Sequence, residues 1–392
     1  MCAIIEKIQK EVPIMSTNEN KDKKAEVTAL QAISAEDRKD WISLAFVQAG
    51  ICVCVPAFLL GALLAEAMPI WPAIISGSLG YLIVVVGMVA TGMIGCDLGL
   101  ASCTCCQAGF GKSGARFIVS TIFAVNMIGW FGIQNGVCGE AFSNAMLAMT
   151  GWDIPVVVSN TIWGIIMLLT AVYGVHALEK LDKISIPLLM IIMCYGIFLA
   201  FKVYGTGNLN DEGTVQSMSF MSGVALSFNF TAVGTITGPD YTRFQKSRKD
   251  TVKSVFYGVF PMGVITLIMG IVLTKLSGQY DISMVLIEVG LPLLGIIALV
   301  ISTWTTNSTN AYSAGLNIVM ALKVKDNRRR EATLISGIVG IVLCDLGILG
   351  HIEGVLSLLS YVVCPVGGVI LADYWVVGKG KAKNFRPQDG VN

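Results

Sequence analysis

The sequence predicts an all-α polytopic membrane protein whose ten transmembrane helices form two five-helix halves of opposite topology. Three observations lead there. Of 392 residues, 54% are apolar and only 14% charged, against about 25% charged in ordinary soluble domains. A mean hydropathy of +0.72 leaves too little polar surface for a soluble globule. Apolar runs of about 20 residues, enough to cross a bilayer as a helix, recur along the chain. Nuclear, secreted-soluble and intrinsically disordered classes are excluded by the same figures.

Residues 1–40 are polar and charged (ENKDKKAE), with no cleavable signal peptide, so the first apolar run doubles as the insertion signal. The ten runs lie near 42–65, 70–95, 116–139, 155–174, 185–203, 217–238, 254–275, 291–321, 333–350 and 354–376. The eighth is long enough for a tilted helix with an extension. Residues 1–40 and 377–392 are expected as cytoplasmic tails of a cell-membrane protein. The core, 41–376, divides into repeats at about 41–203 and 217–376. Loop charge checks the count. With both termini inside, only Lys202 and Lys275 of the 27 Lys and Arg fall outside, as the positive-inside rule requires.

The net charge of +1 gives no reason to expect a nucleic-acid partner, because the basic residues are scattered through short loops. The partner implied is the lipid bilayer. Cys52, Cys54, Cys194 and Cys344 sit in apolar runs, where a thiol behaves as a small hydrophobe. Cys96, Cys103, Cys105 and Cys106 lack paired zinc spacing and a nearby His, so no metal centre is expected there. His176 and His351 fall at span ends.

Inverted repeats place a site at the midplane beside helices interrupted in both halves. The first span carries Gly50, Pro56 and Gly61 in its middle, and the sixth carries Asn229, Thr231, Gly234 and Thr235. The eighth contains STWTTNSTNAY, from Ser302 to Asn310 the most polar stretch at membrane depth. Unsatisfied polar groups in hydrocarbon cost several kcal/mol, so this stretch faces protein or a wet cavity. Ser and Thr bond back to their own helix, but the amides of Asn307 and Asn310 need outside partners. In the third span Trp130 and Gln134, four residues apart, share a helix face. An indole beside an amide suits a flat heterocycle that both stacks and hydrogen-bonds. The first, sixth and eighth spans have no ionisable residue mid-span, so neutral oxygens, and hence Na⁺, fit better than a proton relay.

GWFG at 129–132, PDYTRF at 239–244, WTTN at 304–307 and PVGGVILADYW at 365–375 resemble the nucleobase–cation symporter family, in its cytosine and purine permease branch. The similarity covers about 40–376. It implies a LeuT-like five-plus-five inverted repeat, alternating access, import of a nucleobase by cation symport, no enzymatic activity and no cofactor beyond Na⁺ or H⁺. The resemblance places the substrate between Trp130 and Phe230, with Asn307 on its ring and the backbone around Asn229 and Ala232 completing the pocket. Its sodium site maps to Gly50, Val53, Ser302, Thr305 and Thr306.

The chain departs from the cytosine pattern in places. Met127 stands where a Gln is expected, Gln134 follows the Trp as in the hydantoin-transporting branch, Ala232 replaces a Ser, and Ser302 replaces an Asn. Hydantoin, allantoin or a thiamine-precursor pyrimidine is thus the alternative substrate, and H⁺ the alternative ion. Many relatives carry two further helices after the tenth, outside the repeat. A membrane enzyme lacks any nucleophile–base constellation here, and a sensor lacks an output domain.

The charge asymmetry predicts a topology that labelling checks. Single cysteines placed in 240–253 and 322–331 on a Cys-less background should resist an impermeant thiol reagent added to intact cells. Labelling of both loops from outside would reverse the orientation.

Overall fold

The computed structural model describes residues 32–173, 175–206, 209, 217–279, 282–324 and 328–392. Most of the expected N-terminal tail, residues 1–31, lies outside them, as does Lys325. Among the described residues every regular element is helical, and a helix occupies each of the ten apolar runs. The first span is two helices, α1 (Trp41–Cys52) and α2 (Val55–Ala67). Then follow α3 (Ile70–Leu98), α4 (Ser120–Thr150), α5 (Val156–Tyr173) and α6 (Val175–Tyr204). The second half begins with another divided span, α7 (Phe220–Thr231) and α8 (Gly234–Thr242). It continues with α9 (Arg248–Ser277), α10 (Pro292–Leu322), α11 (Arg329–Asp345) and α12 (Ile352–Leu371).

Among the described residues, by length and apolarity alone, six helices qualify to cross a membrane, or seven with the bent first pair taken as one. α10 is diluted by its polar stretch, and α11 has only 17 residues. At 31 residues α10 runs about 46 Å, well past a bilayer core, consistent with a tilted or extended helix. Three stretches between the expected spans are also α-helical: Ser102–Cys105 and Gln107–Gly114, ahead of α4, and Ile282–Glu288, ahead of α10.

The two interruptions differ physically. α1 and α2 bend by 55°, with Val53 and Cys54 out of helical geometry. Pro56 has no N–H to give the Cys52 carbonyl one turn earlier, which weakens the helix here, although α6, α9 and α12 carry Pro187, Pro261 and Pro365 without a break. The sixth span has no proline there. Ala232 and Val233 keep right-handed helical angles, and the chain merely tightens, Thr235 N–H donating to the Ala232 carbonyl at 3.0 Å and Ile236 N–H to Val233 at 3.1 Å.

Helix packing sorts the spans into two groups. α9 lies against α1, α2 and α3, and α3 against α7 and α8. α10 runs along α4, and both meet α5 and α11. α6 and α12 reach from one group to the other. In the first group α2 and α9 approach through reciprocal glycines. A Cβ on Gly61 would stand 2.3 Å from the Leu267 carbonyl, and one on Gly270 2.2 Å from the Phe58 carbonyl. Small residues let membrane helices pack this closely where hydrophobic driving force is absent.

Gly61→Ala and Gly270→Ala should each lower stability by about 1–3 kcal/mol, because the added methyl meets rigid backbone. Gly368→Ala, whose Cβ meets nothing within 4 Å, is the neutral control. Thermal unfolding of the purified protein checks this, and equal melting temperatures for all three variants would refute it.

Candidate functional site

A cavity of about 410 Å³ lies between the two helix groups. α1 contributes Gln48 and Cys52, α4 Phe123, Trp130 and Gln134, the divided sixth span Phe230 and Thr237, and α10 Thr306 and Asn310. It runs from the first-span break to Asp240, Arg243 and Met320, at the ends that the loop charges mark as cytoplasmic. A second cavity, about 470 Å³, lies toward the other end and is lined by Glu140, Asn160 and Asp345 among others. The two share no lining residue.

Three of the expected substrate residues meet on the first cavity: Trp130, Gln134 and Phe230. The rings of Trp130 and Phe230 lie 5.0 Å apart at 86°, edge to face. A planar ring held between two faces needs them parallel and about 7–8 Å apart, two van der Waals contacts. In this conformation the pair fills its own gap, so a ring enters only when one of them turns. Gln134 is 4% exposed, and its Oε1 has no hydrogen-bond partner. An unpaired buried acceptor of that kind is satisfied by an N–H on a bound molecule.

The other three lie off the cavity. Asn229 Nδ2 donates to Ser357 Oγ at 3.0 Å, and its Oδ1 accepts from Ser360 Oγ at 2.7 Å, tying α7 to α12. Ala232 is buried, its carbonyl engaged by Thr235. Asn307 is fully buried and donates to the Phe131 carbonyl at 3.1 Å and to the Met167 sulfur at 3.3 Å. The polar face on the cavity is instead Thr306, Asn310, Ser313 and Asn317. These recur at i, i+4, i+7 and i+11, a helical spacing legible in the sequence.

Of the expected sodium ligands, Gly50 and Val53 flank the first-span break, and Ser302, Thr305 and Thr306 follow one another on α10. Thr305 and Thr306 hydroxyls donate to the Ser302 carbonyl at 3.1 and 3.0 Å. Each hydroxyl keeps its acceptor lone pairs, so the set fits a small hard cation by ligand type, and only Thr306 lines the cavity. Among the described residues no three His, Cys, Asp or Glu form a metal-holding group.

Sequence reasoning passed over Gln48, Asp240 and Arg243. Asp240 is the cavity's one lining carboxylate and Arg243 its one lining cation. Asp240 accepts from the Ser102 N–H at 2.9 Å. Nearby, Arg248 donates through Nε to Asp97 at 2.9 and 3.0 Å and through Nη2 to the Gly380 carbonyl at 2.7 Å.

Residues 33–386 match the model of a family described as permease for cytosine/purines, uracil, thiamine, allantoin. The chain belongs to this family. It is a multi-pass membrane permease and not an enzyme. The cytosine permease of Escherichia coli (strain K12) is 30% identical over 341 residues, covering 86% of this chain and 78% of that one. The inward-facing conformation of Mhp1 aligns at a TM-score of 0.79 and 19% identity, covering 92% of this chain and 84% of that one. Mhp1, a nucleobase-cation-symport-1 family transporter, in a closed conformation with bromovinylhydantoin bound, aligns at 0.76 and 18% identity, covering 93% and 86%. These likenesses show the fold, the LeuT-like five-plus-five inverted repeat.

Asn307 and Asn310 of α10 should separate experimentally. Asn307→Ala is expected to cost about 1–3 kcal/mol of stability, since it breaks a buried hydrogen bond, and to leave the rank order of transported substrates unchanged. Asn310→Ala should alter transport with a smaller stability loss. Thermal unfolding and uptake assays check both, and the reverse pattern would put Asn307 on the substrate.

Proposed function

We propose that this permease imports a planar nucleobase of cytosine or purine type by sodium symport with alternating access, across a cell membrane with both termini cytoplasmic. The observation that carries the reading is the unpartnered Gln134 oxygen beside the Trp130–Phe230 pair, on a cavity at the seam of two helix groups. Turning Phe230 away from Trp130 frees an aromatic face, and stacking there contributes roughly 0.5–1.5 kcal/mol. Gln134 then accepts a ring N–H, and the Asn310 side chain faces the same space from α10. A polar site of this kind rejects an analogue that leaves its buried groups unpaired. Movement of the α1–α3 and α7–α9 group against α4, α5, α10 and α11 closes one cavity and opens the other. The relatives' names support the substrate class, and the neutral oxygens of Thr305 and Thr306 on α10 support Na⁺.

One observation favours a second reading of the ion. Asp240 is a carboxylate on the cavity itself, which suits proton coupling. Uptake into proteoliposomes distinguishes the two. Cytosine, uracil, adenine, hypoxanthine and hydantoin are offered under a Na⁺ gradient, a proton gradient or neither. The expected result is uptake of at least one planar heterocycle under the Na⁺ gradient, abolished by Trp130→Ala. Uptake that ignores Na⁺ but follows the proton gradient and fails in Asp240→Asn would transfer the coupling role to Asp240. Transport of non-planar amino acids in preference to every heterocycle would remove the nucleobase assignment.

A further inference from the structure

We infer that the cavity holds a second heterocycle position, between the Trp130–Phe230 pair and the Asp240 end, with Gln48 as its hydrogen-bond reader. The inference rests on the substrate class proposed above. Cavity length is the first argument. Thr306 and Asn317 both line it from the same helix, eleven residues or about 16 Å apart at 1.5 Å per residue. That is more than twice the 4.5–7 Å separation of two rings in contact, so one stacked base leaves part of the cavity unfilled.

The second argument is that the inner part repeats the chemistry of the outer part. Phe123 lies seven residues before Trp130 on the same cavity-facing side of α4, about 10 Å away along the axis. Tyr241, which packs beside Cys52 and Val259, faces the cavity from the end of α8. These supply aromatic surface at the inner level as Trp130 and Phe230 do at the midplane.

Gln48 is the deciding residue. It is 0% exposed and lines the cavity from α1, and its Oε1 has no partner. Its Nε2 donates to the Leu44 carbonyl at 3.2 Å. Flipping the amide would set oxygen against oxygen, so the orientation is fixed and the unpaired atom is the acceptor. Gln134 and Gln48 are the two cavity-lining side chains whose buried oxygen lacks a partner. A buried acceptor left unpaired is costly, and a ring N–H satisfies it. Asp240 adds a carboxylate, one oxygen of which accepts from Ser102. The position therefore takes a small neutral heterocycle with an N–H edge, the same class as the midplane site, on its way to or from the Asp240 end.

The test is equilibrium binding of the radiolabelled heterocycle that wild-type protein transports best, measured on the purified full-length permease in lipid nanodiscs. Wild type should bind two molecules per chain with separable affinities. Gln48→Leu should weaken one component about tenfold or more and leave the other within about twofold, since a lost charge-neutral hydrogen bond acts locally. Trp130→Ala should remove the opposite component. Tyr241→Leu repeats the Gln48 arm in case that variant does not fold, which unfolding temperature reports. A single site per chain in wild type overturns the inference while leaving the transport reading intact. Equal weakening of both components by Gln48→Leu also overturns it, because the two groups would then serve one site. If no heterocycle binds wild type, the transport reading itself falls, and this inference with it.

Discussion

The backbone break at Val53–Cys54 is the constraint around which the rest of the molecule is arranged. A bilayer core supplies no hydrogen-bond donors, so non-helical backbone at that depth survives only when protein or a wet cavity covers it. Both residues are buried, and Cys54 lines the cavity. Pro56 removes one backbone donor at the break. α9 crosses against the second half of the broken span, with Gly270 against the Phe58 carbonyl. Val53 is covered by packed side chains of α6, α9 and α10, and Cys54 by the cavity.

Clasping the broken spans also decides which helices move together. Ser227 Oγ donates to the Gly77 carbonyl at 2.6 Å and Thr242 Oγ1 to the Gly92 carbonyl at 2.7 Å, fixing the sixth span to α3 at both its ends. Across the seam, Asn307 and Ser308 bind α10 to α4 and α5 in the same way, Ser308 Oγ reaching the Met167 carbonyl at 3.1 Å. Buried polar bonds therefore stiffen each group internally. The seam between them is closed by apolar side chains and the edge-to-face Trp130–Phe230 pair, a contact worth roughly 0.5–1.5 kcal/mol. Opening the seam costs less than deforming either group, which is the mechanical condition for rocking about a central site.

Hydropathy and loop charge made the ten helices legible, because spanning length and Lys/Arg placement are properties of composition. Which face of a helix meets the cavity is a different kind of fact. The stretch from Ser302 to Asn310 announces polar demand at membrane depth but not its direction. Packing against α4 and α5 claims Asn307 and Ser308, and leaves Thr306 and Asn310 to the cavity. The sixth-span Asn229 poses the same problem, since Ser357 and Ser360 of α12, more than a hundred residues on, take both ends of its side-chain amide. Gln48 escaped notice for the opposite reason. It is a single amide in an apolar run, and only the cavity beside it gives its free oxygen a meaning. That Trp130 and Gln134 share a face was legible because their pairing is local, one turn of one helix.

The charged network near the Asp240 end shows where motion is not expected. Asp97 at the end of α3 accepts from Arg248 at the start of α9 and from the Tyr374 hydroxyl beyond α12. Arg38 adds hydrogen bonds to the Cys96 and Gln245 carbonyls, each 2.9 Å. Apart from Tyr374 and Gly380, which follow α12, every partner belongs to the α1–α3 and α7–α9 side, so most of these bonds join the group to itself. The exposed Lys112–Asp389 pair, by contrast, has side chains 52% and 91% exposed, and such surface pairs contribute about 0–1 kcal/mol. The half-buried Arg248–Asp97 pair thus sits inside one helix group, and the exposed Lys112–Asp389 pair outside it. The balance between the seam's two states is left to Trp130, Phe230 and whatever fills the space beside them, which is how a bound ring with little binding energy to spare can still decide which end of the cavity is open.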